Sequence, residues 1–142
     1  MLLDTLRPDF LSFYGHKRET APFMASLSKK AMVADRAFST SSWTAPSTAS
    51  LFTSLYPVQH GVMYGFRAQR SFIEKHADGD DVEITLQTLP EAKTTLPEKF
   101  RELGYETFAI TTNINITRKM GFHSGFDKFR HIPYSKGPAH VV

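Results

Sequence analysis

The segment Ser42-Trp43-Thr44-Ala45-Pro46-Ser47-Thr48-Ala49-Ser50-Leu51-Phe52-Thr53-Ser54-Leu55-Tyr56-Pro57 constrains the fold more than any other part of the chain. Proline has no backbone N–H and a fixed φ, so Pro46 belongs in the first turn of a helix and not in its interior. Beyond it, Ala49, Leu51, Phe52, Leu55 and Tyr56 cover more than one helical face, which predicts a helix packed on several sides. The first turn leaves backbone N–H groups without intrahelical acceptors, and their partial positive charge favours an anion in front of Thr44 or Ser47. Thr44 therefore has two readings: an ordinary helix cap, or a hydroxyl held where a phosphate or sulfate would sit.

A second segment, Met1-Leu2-Leu3-Asp4-Thr5-Leu6-Arg7-Pro8-Asp9, reads as the end of an apolar strand running into a carboxylate and then a turn. Open α/β sheets bind ligands beyond the C-terminal ends of parallel strands, which is where Asp4 would stand. Arg7 and Asp9 are expected to brace that turn. Three residues before Asp4 are fewer than a central strand usually has, so a clipped strand and an incomplete domain are expected.

The rest of the chain alternates helix and strand signals. Residues 21–31 read as a helix with Pro22 in its first turn and Met24, Leu27 and Ala31 on one stripe. An extended run over residues 32–38 leads toward Thr44. Thr95-x-x-Glu98 is a capping box, followed by Leu96, Phe100 and Leu103 on one face and by Gly104 as the stop. Residues 106–112 read as a strand ending at Thr111-Thr112-Asn113. Between residues 67 and 93 the chain is polar, a surface excursion with a short strand over residues 82–86; Asp78-Gly79-Asp80-Asp81 within it lacks the ligand spacing of a calcium loop. This alternation predicts an α/β domain over residues 1–142, a mainly parallel sheet flanked by helices.

Composition narrows the function classes. Hydrophobic residues make up 41% of the chain and 12 are Phe, enough for a globular core at 142 residues. A net charge of +3 suits an anionic substrate, but no dense Lys/Arg cluster with interleaved aromatics points to nucleic acid. No apolar run reaches the length of a membrane span. With no cysteine, thiolate metal sites and disulfides are excluded, and none of the six histidines has the two- or four-residue spacing of local zinc ligands. His60 and His123 are expected to be packing and loop residues.

Taken in order, Asp4, the Thr44 helix, Tyr56-Pro57-Val58-Gln59-His60-Gly61-Val62 and Leu103-Gly104-Tyr105-Glu106-Thr107 resemble the sulfatase-like branch of the alkaline phosphatase superfamily. The resemblance runs from residue 1 to about Phe129 and covers the first part of that family's domain, so these residues alone are expected to be inactive. It implies a metal-dependent hydrolase or transferase acting on an anionic ester, with Asp4 and Thr44 as ligands of a divalent cation (Mn, Mg, Ca or Zn) and Thr44 as nucleophile.

The chain also departs from that family's commonest pattern. The sulfatase signature Cys-x-Pro-x-Arg supplies a formylglycine, whereas this chain has Thr44-Ala45-Pro46-Ser47-Thr48 and no cysteine, so no formylglycine is expected. Relatives with Thr at this position act on phosphate or phosphonate esters or transfer phosphoryl groups, which shifts the expectation from sulfate toward phosphorus. Where sulfatases carry Gly-Lys-Trp-His, this chain has Thr111-Thr112-Asn113-Ile114-Asn115, leaving Asn113 as a neutral donor for substrate or as a plain turn residue. Two alternatives stand beside the threonine enzyme: a sulfuric ester hydrolase, and a noncatalytic interaction module of the same fold whose uncovered apolar surface leads to self-association.

Overall fold

The computed structural model describes residues 1–76 and 87–133, which include all the predicted elements except the 82–86 strand; that strand and the Asp78–Asp81 turn lie outside the described residues. The chain divides into two compact units, Met1–Phe38 and Ser39–Val142.

The first unit is built from turns. Short 3-10 helices at Pro8–Phe10 and Ser12–Tyr14 precede α1, Pro22–Ser28. Pro22 opens α1 as expected, but the helix stops before Ala31, and of the predicted stripe Leu27 is exposed and Met24 half-buried. Leu11 is its buried apolar side chain, and side-chain bonds from Tyr14 to the Ala34 carbonyl (2.9 Å) and from Ser12 to Glu19 (2.6 Å) close the loops around it. Arg7 and Asp9 brace the turn as predicted, through two bonds of 3.0 and 2.5 Å, and this holds the Asp9 carboxyl below its ordinary range. Both side chains are exposed, so the pair adds little stability. The expected first strand is not formed. Residues 1–3 are irregular and exposed, because no strand among the described residues pairs with their backbone, and Asp4 and Thr5 form a turn with Thr5 at φ 56°. Residues 32–38 are likewise irregular, broken by a turn at Asp35 and Arg36.

The second unit holds α2 (Thr44–Thr53), α3 (Pro57–His60), α4 (Phe66–His76), α5 (Leu96–Glu102), β1 (Phe108–Thr111) and β2 (Lys128–His131). β1 and β2 pair in parallel, Ala109 opposite Phe129 and Thr111 opposite His131, so the predicted parallel pairing is present in a sheet of two strands. Parallel strands need a long crossover. Here residues 112–127 make it from turns, and Met120 and Phe122 point from it into the core with no exposed surface. Ala45, Ala49, Val62, Leu89 and Phe129 complete that core. Phe52 meets Phe122 and Phe126 with ring centroids 5.9 and 6.0 Å apart. The outer sheet face carries exposed Phe108 and Ile110 beside Lys128 and Arg130.

Two clamps set this arrangement. Thr107 donates its N–H to the Asp127 carboxylate (2.8 Å), and the Asp127 N–H returns to the Thr107 carbonyl (2.9 Å), which fixes the parallel register at the entry of both strands. The Thr107 donors hold the Asp127 carboxyl below its ordinary value. Gly125, at φ 82°, lets the crossover pass α5: a Cβ there would lie 2.4 Å from the Glu98 nitrogen.

The α2 helix is shorter than the sequence suggests. It ends at Thr53, and Ser54 turns left-handed at φ 57° because Pro57 forces Tyr56 into an extended conformation and opens α3. Leu51 and Tyr56, predicted to pack, are exposed, and the buried face is Ala45, Thr48 and Ala49. From α3, the buried His60 reaches back to Ser50 of α2, Nε2 to Oγ 3.0 Å, while its Nδ1 accepts the Val62 N–H at 3.1 Å. Residues 66–76, at the front of the expected polar excursion, form a helix. The Asn115 side chain accepts the Phe66 N–H (2.8 Å) and so ties its start to the crossover. Buried Gln69 bonds Tyr64 and Gln87.

Burial pushes the His60 imidazole below its ordinary value, with the Pro46 carbonyl acting in the opposite direction and Lys93 adding to the depression. The unfolded chain then binds the proton first, so stability is full above about pH 6.5 and falls as pH drops through the folded value. Urea midpoints measured from about pH 7 to pH 5 should fall, and His60→Gln should flatten that slope. The Thr95 capping box is formed as predicted: the Thr95 N–H donates to Glu98 (2.7 Å), the Glu98 N–H to Thr95 (3.4 Å), and Thr95 also donates to the Ser124 carbonyl (3.2 Å). Thr95→Ala should cost about 1–2 kcal/mol in denaturant unfolding and Thr95→Ser much less.

Candidate functional site

Trp43 is the N-cap of α2 and Thr44 its first helical residue, so the capping reading of Thr44 is not what the backbone shows. Trp43 contributes no capping side-chain bond; its carbonyl accepts the Ser47 N–H at 3.1 Å. Ala45 and Pro46 are buried directly behind Thr44, which is itself half-buried, and Pro46 has no N–H to give. The first N–H groups of the helix, those of Thr44 and Ala45, therefore have no acceptor inside it.

The hydroxyls beside this helix start are ordered. Ser39 donates its one proton to the Ser41 carbonyl (2.6 Å), so in the 2.7 Å contact between the Ser39 and Ser47 oxygens Ser47 is the donor. The Trp43 N–H donates to the Ser41 hydroxyl at 3.1 Å. Ser47, the second hydroxyl singled out by the sequence, thus has its proton committed. Thr48, where sulfatases carry Arg, is a buried side chain of the packed face.

Asn113 follows the C-terminal end of β1 by two residues. Its Oδ1 accepts the Asn115 N–H (2.8 Å) and its carbonyl the Ile116 N–H (3.0 Å), so it is a turn former whose side-chain donors are on Nδ2. Both Thr44 and Asn113 belong to the second unit, and α2 and the sheet share one core. Asp4 belongs to the first unit, in its exposed opening turn. Among the described residues no three His, Asp or Glu side chains converge in a way that could hold a metal ion.

A cavity of about 370 Å³ opens beside the end of β2, lined by Phe66, Ile114, Thr117, Arg118, Lys119, Phe129 and His131. The Arg118 guanidinium stands 5.7 Å from the Phe129 ring centroid and donates to the Phe129 carbonyl at 3.4 Å. The His131 Nε2 is buried and makes no hydrogen bond among the described residues. The sequence signal for this cleft is the basic pair Arg118-Lys119 shortly after a strand end. It is passed over when attention stays on Asn113. His123, a crossover residue as expected, is half-buried with its Nδ1 unbonded among the described residues.

No curated protein and no solved structure matches the chain. The model of the Sulfatase family matches residues 1–139, a span that contains the Thr44 helix, the Tyr56–Val62 block and the parallel strand pair. The protein therefore belongs to the Sulfatase family, within the alkaline phosphatase superfamily, and that membership implies an ester hydrolase from a family that typically binds a metal.

Proposed function

We propose that Thr44 is the nucleophile of a hydrolase or transferase acting on phosphate, phosphonate or sulfate esters. The observation that carries this reading is the place of its hydroxyl, on the first residue of the ten-residue helix α2, with buried Ala45 and Pro46 fixing the helix start.

In this mechanism the Thr44 Oγ attacks phosphorus or sulfur in line. The new bond forms as the bond to the leaving oxygen breaks, and the departing alkoxide takes up a proton. Water, or an acceptor alcohol in a transferase, then releases the group and restores the threonine hydroxyl. The N–H groups of the first turn of α2 are donors for charge growing on the nonbridging oxygens, and the Asn113 amide adds a neutral donor. For the metal, the family resemblance supplies the Asp4 carboxylate and the Thr44 hydroxyl, an all-oxygen pair that suits a hard divalent ion, with water filling other positions. When bound, such an ion favours the alkoxide over the hydroxyl at neutral pH. Phosphate and sulfate esters remain in one class because both present tetrahedral oxyanions.

In the complete protein, Thr44→Ala should lower turnover of 4-nitrophenyl phosphate, phenylphosphonate and sulfate esters by roughly three orders of magnitude or more, while circular dichroism stays unchanged. Peptide mapping of quenched wild-type reactions should find the transferred group on Thr44. An unchanged rate in the variant would remove Thr44 from the mechanism.

The noncatalytic reading is favoured by one observation: Leu96, Phe100 and Leu103 form the predicted stripe on α5, yet all three are exposed, as are Phe108 and Ile110 on the sheet. On that reading sedimentation velocity shows concentration-dependent association that Leu103→Glu abolishes, and no ester is turned over. A monomer at all concentrations with Thr44-dependent turnover excludes it.

A further inference from the structure

We infer that the cleft between the start of α4 and the end of β2 binds the apolar body of an organic anion, with Arg118 and Lys119 holding its charged group. The lining of this cleft includes neither Thr44 nor Asn113, so the ligand site stands independently of the ester reading above.

The cleft is divided by chemistry. Phe66, Ile114 and Phe129 give it apolar walls, and its volume of about 370 Å³ falls within the range of small-ligand pockets. An inorganic oxyanion alone would leave those walls against water, whereas an aryl or branched alkyl group would cover them. Its lining also holds two cations, Arg118 and Lys119, and no carboxylate. Arg118 uses a single N–H on the Phe129 carbonyl, at the long distance of 3.4 Å, and a guanidinium has five N–H donors in a fork that matches an oxyanion. Among the described residues no carboxylate pairs with Arg118 or Lys119. The ring of Phe129 already lies under the guanidinium, which holds the cation over the apolar floor instead of in bulk water.

An independent observation also points to a ligand. His131 lines the same cleft and its Nε2 is buried without a hydrogen-bond partner among the described residues. Buried polar atoms ordinarily find a partner, and an oxyanion or ester oxygen in this cleft would give Nε2 one. Apolar walls, two lining cations and an orphaned imidazole nitrogen together select an amphipathic anion over either half of it.

The test is calorimetric titration of the 142-residue Thr44→Ala chain, which removes turnover, with 2-naphthyl phosphate, inorganic phosphate and 2-naphthol. Binding of 2-naphthyl phosphate should be at least about tenfold tighter than that of either half, as expected when a charged hydrogen bond and apolar burial add. Arg118→Gln should weaken it by about tenfold, and Lys128→Gln, on the outer sheet face, should leave it unchanged. Lys119→Gln keeps the test decisive if Arg118→Gln unfolds, because its ammonium braces nothing else among the described residues. Inorganic phosphate binding as tightly as the ester, or Lys119→Gln and Arg118→Gln both behaving like Lys128→Gln, would overturn the proposal. The ester reading fails separately, through an unchanged hydrolysis rate in Thr44→Ala, and that result leaves these affinities untouched.

Discussion

Two alanines one helical turn apart hold the second unit in its arrangement. Ala45 and Ala49 have no exposed surface, and they pack into the buried apolar cluster that also holds Phe122 and Phe129. Everything proposed for Thr44 depends on that contact, because it places the first turn of the helix against a core that resists displacement. A larger residue at either position would push α2 outward and carry Thr44 with it. The aromatic rings of Phe52, Phe122, Phe126 and Phe129 pack on one another in the same core.

The parts of this fold that can be read from sequence are those with local chemistry. The Thr95 capping box, the stop at Gly104, Pro46 in the first turn of α2 and the strand before Asn113 all follow from short-range rules, and each is present. What local rules miss is whatever depends on a partner. Leu51 and Tyr56 look like buried helix positions, yet both are exposed: Leu51 lies off the Ala45–Ala49 face of α2, and Tyr56 follows the break at Ser54. Residues 1–3 have strand-forming side chains and no paired strand among the described residues. Residues 66–76 are polar enough to look like a loop and are nevertheless helical, anchored by the Asn115 side chain from far along the chain.

The candidate site shows the same division. Thr44 stands out from sequence because a proline and a helix start mark it, and the family match supports its setting without establishing its role. Arg118, Lys119 and His131 do not stand out, since a cleft is a property of the strand register and of the path of residues 112–127. Asn113 is intermediate: its turn-forming bonds are what a strand-end asparagine makes with or without substrate.

The tautomer of His60 has a consequence for recognising nucleophiles by proximity. A serine oxygen 3.0 Å from a buried histidine nitrogen has the spacing of an acid–base dyad. Because Nδ1 accepts the Val62 N–H, the ring proton is on Nε2 and faces Ser50, so the imidazole presents a proton where a base would need a lone pair. The direction of one backbone hydrogen bond thus separates a structural strut from the catalytic pair it resembles.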